Sequence, residues 1–382
     1  MEFIKKNKAE VKVASPGRIN LIGEHTDYNN GYVMPAAINK KIYFKFWKNG
    51  TENLIRIYSK TFDNYVEFNL QKISQSTNSW ENYLLGVIAE IQKLDKQLHG
   101  FDCVIESELP IGAGISSSAA LECGFAGGLN SLFHLELSQM EIVSLSQRAE
   151  NNFVGSNCGI MDQFASVMSK KDHFIKLDCE SLEAVFIPAE IQNCKLLLLN
   201  TNVSHNLADS EYNTRRQECE KAVGIIQQKY STVRSLRQVT FEMLEEFNDE
   251  IGPVSLERCH YVLEENKRVH ETEKALRDGN LQEVGRLMYA SHRGLQHQYE
   301  VSCPELDYLV DFSEDRTFIY GSRMMGGGFG GCTINLIEAD KVDAYLREVK
   351  KAYQEKFNII PTAITVVPDE GTQITKLKGK EQ

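Results

Sequence analysis

Three glycine-bearing segments of the 382-residue chain concentrate the residue types that can do chemistry. The first is Ser15-Pro16-Gly17-Arg18-Ile19-Asn20-Leu21-Ile22-Gly23-Glu24-His25-Thr26-Asp27-Tyr28. So many hydrogen-bonding groups are costly to bury. The segment therefore reads as a loop following a short strand, with Ile19, Leu21 and Ile22 anchoring it so that its polar groups stand in fixed positions. Carboxylates and an imidazole at close range suit the vicinal hydroxyls of a sugar, which offer paired donors and acceptors. A metal site of Glu24, His25 and Asp27 is the alternative, although adjacent residues rarely converge on one ion.

The second segment is Leu109-Pro110-Ile111-Gly112-Ala113-Gly114-Ile115-Ser116-Ser117-Ser118-Ala119-Ala120, at the passage from a strand to a helix. Glycines let a ligand approach the backbone, and a helix start offers free N–H groups and positive potential. The serines add caps and hydroxyls. Such a loop holds phosphate without lysine; its other reading is a tight turn with a serine cap. It lacks the G-x-x-x-x-G-K-[ST] pattern, the third glycine of a dinucleotide loop, and the x-G that completes a hydrolase elbow. The third segment is Gly321-Ser322-Arg323-Met324-Met325-Gly326-Gly327-Gly328-Phe329-Gly330-Gly331-Cys332. It satisfies G-x-G-x-x-G only formally, because a strand follows where the dinucleotide motif opens a helix. A backbone-lined wall over a ligand accounts for such dense glycine better than a plain hairpin does. Between these lies Cys158-Gly159-Ile160-Met161-Asp162-Gln163. Asp162, among apolar neighbours, is either a partly buried carboxylate or a cap; burial would raise its pKa and a nearby Arg would lower it.

The elements that must position these segments can be read from periodicity. Strands are expected at 11–14, ending in a turn at Ser15-Pro16-Gly17, and at 42–47, 54–59, 65–68, 101–107, 174–177, 184–187, 196–200, 318–325, 332–337 and 363–367. Helices are expected at 81–98, 117–132, 211–229, 253–297 with a break near Gly279, and 341–357. Ser138 and Glu141 form a capping box that opens a further helix ending near Phe153. The elements do not alternate regularly, which predicts an α+β fold. The boundary between a sheet-rich half, residues 1–190, and a helix-rich half, residues 191–382, falls near 190.

Composition is that of an ordinary globular protein, with 42 % apolar and 25 % charged residues, which excludes a disordered or fibrous chain. A net charge of -11 argues against nucleic acid as a partner, and the basic tail Lys376, Lys378 and Lys380 is too short to reverse that. Nine scattered cysteines without a C-x-x-C pair predict free, mostly buried thiols in a reducing compartment. No apolar run suits a signal peptide or a spanning helix, so the expectation is a cytoplasmic protein without a membrane partner.

Taken together, the three segments resemble the galactokinase family of the GHMP kinase superfamily. Further similarity lies in Cys158-Gly159-Ile160-Met161-Asp162-Gln163, in Glu211-Tyr212 through Arg215-Arg216-Gln217-Glu218-Cys219-Glu220, and in Ser291-His292-Arg293 with Glu300-Val301-Ser302-Cys303-Pro304. The resemblance spans about residues 12–338. It implies a two-domain GHMP kinase fold, with a sheet-rich N-terminal domain and a ferredoxin-like C-terminal domain. It implies phosphorylation of α-D-galactose by ATP with Mg²⁺, giving galactose 1-phosphate and ADP, the entry step of the Leloir pathway, by a monomer.

By motif position, the resemblance implies that Glu24, His25, Asp27, the backbone at Gly159, and Tyr212 hold the sugar. Arg18 and Asp162 would sit at the attacking hydroxyl. Gly112, Gly114, Ser116, Ser117 and Ser118 would wrap the phosphates, with Ser118 and Glu150 on Mg²⁺ and Trp80 beside adenine. Two positions depart from the family pattern: Ile115 replaces a leucine and Met325 a threonine. Asp162 would act either as a base or only to orient the hydroxyl, with Arg18 stabilising charge on the transferred group.

Overall fold

The computed structural model describes residues 8–110, 112–204 and 208–377; Ile111, Lys378 and Lys380 lie outside the described residues. The chain's strands are β1 Val11–Asn20, β2 Tyr32–Val33, β3 Pro35–Lys48, β4 Leu54–Ser59, β5 Asn64–Asn69, β6 Phe101–Ser107, β7 His173–Asp178, β8 Ala184–Pro188, β9 Cys194–Ser204, β10 Ile319–Met325, β11 Gly330–Glu338, β12 Thr362–Val366 and β13 Gln373–Lys376. They form a six-stranded sheet ordered β13-β1-β3-β6-β4-β5, a four-stranded sheet ordered β10-β11-β9-β12, and a small sheet β2-β7-β8. Along β3, Phe44 and Phe46 point inward while Lys45 points out, the period of a half-buried strand. The Phe44 ring stacks on Phe46, which meets Phe125 of the helix Ser117–Phe133 packed on that sheet. The four strands β9 to β12, with helices after β9 and after β11, have the β-α-β-β-α-β order and 4-1-3-2 sheet of a ferredoxin-like unit. The fold is α+β, as the irregular alternation predicts.

Several boundaries differ from the periodicity. The expected turn at Ser15-Pro16-Gly17 does not exist: β1 runs on to Asn20, with Ser15 opposite Ile42 and Pro16 opposite Lys41. A register shift between Pro16 and Arg18 absorbs the proline, which has no N–H for the ladder. The bulged strand carries Arg18 to the wall of two adjoining cavities. The helix expected to reach residue 98 ends at Gln92. The helix opened by the Ser138–Glu141 capping box ends at Ala149, and the chain continues through a single π-helical turn, Glu150–Val154. The break near Gly279 falls between the helices Pro253–Arg277 and Leu281–His297. Strand β13 and the helices Met161–Met168 and Pro304–Glu314 go unread from periodicity.

All nine cysteines are free, and seven are buried. Among the described residues no helix is long and apolar enough to cross a membrane.

Candidate active site

The polar first segment is not a solvated loop. Arg18, Glu24 and His25 are 4 %, 2 % and 4 % exposed, and Asn20 and Thr26 are wholly buried. Burial is tolerable because the charged groups all have built partners, although the Asn20 amide Nδ2 has none. Arg18 forms a fork onto Asp162, with Nε donating to Oδ1 at 2.7 Å and Nη2 to Oδ2 at 2.9 Å. Its third nitrogen, Nη1, donates to the Gly114 carbonyl at 2.7 Å, tying the first segment to the second. Glu24 pairs with the fully buried Arg323 of β10 at 2.9 Å. His25 Nε2 faces the Gly327 carbonyl at 3.2 Å, which can only accept, so that nitrogen carries the proton. Nδ1 then accepts from the Tyr28 hydroxyl at 2.7 Å. Burial, with Arg215 and Arg323 nearby, pulls His25 down to about 3, so the ring stays neutral.

Asp27 borders a small cavity of about 170 Å³ together with Arg18, Glu24, His25, Asp162 and Tyr212. Burial, then the charges of Asp162 and Glu24, push its carboxyl up to about 7. Gly159 makes room for it: a Cβ there would lie 2.1 Å from Asp27 Oδ2. The Tyr212 ring stands 5.2 Å from that of His25 and 5.3 Å from that of Tyr28, closing the cavity with an aromatic wall.

A second cavity of about 400 Å³ continues from the first; Arg18, Glu150, Asp162 and residues 326–328 line both. Its other walls include Gly112, Gly114, Ser116, Ser117, Ser118 and Gly330–Gly331, which offer backbone and hydroxyl groups, beside the side chains of Tyr83, Val203 and Phe329. The serines do not act as the expected cap. Ser116 occupies the N-cap position at φ 56° with no capping bond. Its hydroxyl donates instead to Asp162 Oδ2, giving that carboxylate a third donor. The three following N–H groups at the helix start therefore remain available to a ligand.

Glu150, in the π-helical turn, is buried between Gln163 Nε2, which donates to it at 2.6 Å, Cys158, Ser118 and Glu122. Burial, then Asp162, pushes its carboxyl up to about 7. Glu122 is fully buried beside it, and its oxygens make no well-formed hydrogen bond. Among the described residues no group of three or more His, Cys, Asp or Glu side chains could hold a metal ion.

A third cavity of about 410 Å³ shares Tyr83, Gly112, Ser117 and Ser118 with the second. It is lined mainly by apolar side chains, including Ile42, Leu109, Leu121, Phe62 and Trp80. Phe62 and Trp80 stack with centroids 5.6 Å apart at 26°. The structure thus offers a polar pocket, a backbone-lined trough and an apolar cleft in one continuous channel, with the Arg18–Asp162 fork where the first two meet.

The chain is similar to known proteins along most of its length. Residues 1–46 match the galactokinase galactose-binding signature, 82–170 the GHMP kinases N-terminal domain and 272–355 the GHMP kinases C-terminal domain. A galactokinase of Thermosipho africanus is 42 % identical over 96 % of this chain and 100 % of its own. A galactokinase of Bacillus subtilis is 40 % identical over 96 % of this chain and 94 % of its own. The chain belongs to the galactokinase family. A crystal structure of Lactococcus lactis galactokinase complexed with galactose superimposes with a TM-score of 0.91, at 35 % identity, covering 96 % of this chain and 95 % of that one. A mevalonate kinase structure at 20 % identity and TM-score 0.65 shares the fold alone.

Relative to the galactokinase motifs, Met325 is accommodated rather than tolerated. Its side chain is buried, and its sulfur accepts the Asn20 N–H at 3.4 Å. Ile115 is buried, and its carbonyl accepts from the Arg18 N–H at 3.0 Å. Three residues of the neighbourhood escape reading from the sequence: Arg323, Phe62 and Glu122. A lone Arg inside the apolar strand 319–325 is a signal for Arg323. Nothing in the spacing marks the other two.

Proposed function

We propose that the protein transfers the γ-phosphoryl group of ATP to the C1 hydroxyl of α-D-galactose, giving galactose 1-phosphate and ADP. The observation that carries this reading is the Arg18–Asp162 fork at the junction of the polar pocket and the backbone-lined trough. A sugar in the first cavity and a triphosphate in the second would meet at that fork.

In this reading Glu24, Asp27, Tyr212 and the backbone at Gly159 hold the sugar hydroxyls. His25, which the resemblance places on the sugar, has both ring nitrogens engaged by the protein, and in this reading it holds the pocket wall against the glycine loop instead. Asp162 accepts the C1 hydroxyl's hydrogen bond and orients its oxygen toward the trough; the proton released as the O–P bond forms passes to Asp162 or, if Asp162 only orients the hydroxyl, to solvent or the phosphate product. Arg18 keeps that carboxylate in place and stabilises negative charge developing on the transferred group. Phosphoryl transfer is largely dissociative, so such positioning and charge neutralisation carry most of the catalysis. Gly112, Gly114 and Ser116 to Ser118 wrap the phosphates, and Trp80 covers adenine.

Ser118 and Glu150 suit magnesium. They offer a hydroxyl and a buried carboxylate, hard oxygen donors, and the contacts of Glu150 include no cation. One carboxylate and one hydroxyl are enough for Mg²⁺, which usually retains water, and bound there it would neutralise phosphate charge. Free cysteines along the chain support a reducing, cytoplasmic setting. We place the domain boundary near residue 190, between the small sheet and β9, with β13 returning to the first half.

The test is a coupled ADP-release assay with Mg-ATP on galactose, 2-deoxygalactose, glucose, N-acetylgalactosamine and arabinose. Turnover on galactose with none on glucose is the expected result. Turnover confined to N-acetylgalactosamine or arabinose would move the substrate, and silence on all five with galactose still bound would refute the enzyme.

A further inference from the structure

Behind the polar pocket, the helix Pro253–Arg277 makes an unusual set of bonds to the segment that lines it. Glu265 Oε1 accepts the backbone N–H of Gly23 at 2.8 Å and that of Glu24 at 3.3 Å. One turn earlier, the Tyr261 hydroxyl donates to the Glu24 carbonyl at 2.9 Å. Beside it, Asn266 Oδ1 accepts the Tyr32 N–H at 2.8 Å. Tyr261 and Glu265 are four residues apart and so share one helix face.

The segment bonds itself in part, Thr26 Oγ1 donating to the Gly23 carbonyl at 2.9 Å, but the N–H groups of Gly23 and Glu24 find their acceptor on the helix. Gly23 has φ 93° and is pressed so closely on Tyr32 that a Cβ would lie 2.5 Å from its carbonyl oxygen. His25 has φ 59°, a left-handed conformation unusual for a residue with a side chain. In this conformation the buried N–H groups of Gly23 and Glu24 turn outward to the helix, where an acceptor must meet them. The acceptor is a fully buried carboxylate. It is kept charged by Arg268 Nε at 2.6 Å and fixed in rotation by the Ser291 hydroxyl at 2.7 Å. Burial alone would raise its pKa, but Arg268 and Arg323 hold it below the ordinary carboxylate range.

We propose that Glu265 is a positioning residue for sugar recognition: it moulds the backbone at Gly23 and Glu24 and so aims Glu24, His25 and Asp27 into the pocket. The inference rests on the reading of that pocket as the sugar site. Glu265 lines none of the three cavities, and its effect passes through the segment it binds.

The decisive variant is Glu265→Gln. An amide can accept from Gly23 only by turning its NH2 group toward Arg268, donor against donor, so it cannot serve both partners. The expected result is a rise of about tenfold or more in the KM for galactose, with the KM for ATP within about twofold of wild type. Discrimination of galactose over glucose falls with it. A core truncation remote from the pocket, Leu309→Ala, supplies the comparison: it lowers Tm without separating the two KM values. An unchanged galactose KM in Glu265→Gln, or both KM values rising together with lost Tm, overturns the proposal. Should Glu265→Gln fail to fold, Tyr261→Phe removes one hydroxyl from the same mould. A selective, few-fold rise in galactose KM supports the proposal and no rise refutes it. Asp27→Asn separates the two levels. If it leaves galactose KM unchanged, the sugar-site reading fails and this inference with it; if only Glu265→Gln is silent, this inference alone fails.

Discussion

The two ends of the channel are built from opposite materials. At the polar end, side chains do the reading, and buried charges from distant parts of the chain hold them: Arg323 on Glu24, and Arg18 on Asp162. At the other end the walls are glycine backbone, serine hydroxyls and the Phe62–Trp80 stack, with Phe62 47 % exposed. In the proposed reading the difference follows from the ligands. Sugar epimers differ only in where a hydroxyl points, so discrimination needs fixed directional partners, and buried unmatched groups punish the wrong epimer. Triphosphate and adenine offer charge and flat apolar surface, which N–H groups and aromatic faces hold with less directional demand. Rigidity is therefore concentrated where selectivity is needed.

Substitutions can break or sharpen that contrast. The largest effect is expected from Glu24→Gln, which leaves Arg323 buried without its counter-charge. It should cost about 3–5 kcal/mol of stability, read from the urea midpoint, whereas Ser116→Ala at the trough should cost far less. Next, Asp162→Asn should lower turnover at least ~100-fold while galactose still binds by calorimetry. A near wild-type rate would remove Asp162 from the chemistry. Trp80→Ala should then weaken ATP by about tenfold, the loss of one aromatic face from a base, with galactose affinity untouched.

Smaller still is a pH effect at Asp27, whose pKa is about 7 in the folded chain against an ordinary 3.8. A carboxyl raised in this way contributes stability that is complete below pH 3.8 and is lost as pH rises through 7. Asn mimics the protonated form. Asp27→Asn should therefore gain stability relative to wild type between pH 5 and pH 8, on the order of 1 kcal/mol after screening at the cavity. A difference that stays flat with pH would show that Asp27 is ionised throughout. The smallest change is expected from Met325→Leu, which keeps the volume and removes only the sulfur acceptor of the Asn20 N–H. It should cost under about 1.5 kcal/mol in thermal unfolding and leave turnover intact.

Local signals in the sequence carried far for elements and less far for the site's construction. The strand 101–107 and the Ser138–Glu141 capping box stand where alternation and capping chemistry predict them. Strand β1 does not, because Pro-Gly ordinarily marks a turn and only pairing with β3, through a bulge, overrides it. Strand β13 is exposed along its whole length, so it carries no alternation to read. The π-helical turn that aims Glu150 leaves no trace in periodicity. The polar segment 18–27 was legible as a candidate site by its composition, but its burial was not. The partners that make burial possible, Glu265 and Arg323, lie some 240 to 300 residues away along the chain, and no spacing rule connects them.

The most direct test of the division of labour is a crossed measurement of KM for galactose and KM for ATP in Asp27→Asn and Trp80→Ala. The predicted result is that Asp27→Asn raises only the galactose value and Trp80→Ala only the ATP value. If either variant raises both in proportion, the two ends are one coupled site and the contrast drawn between them is wrong.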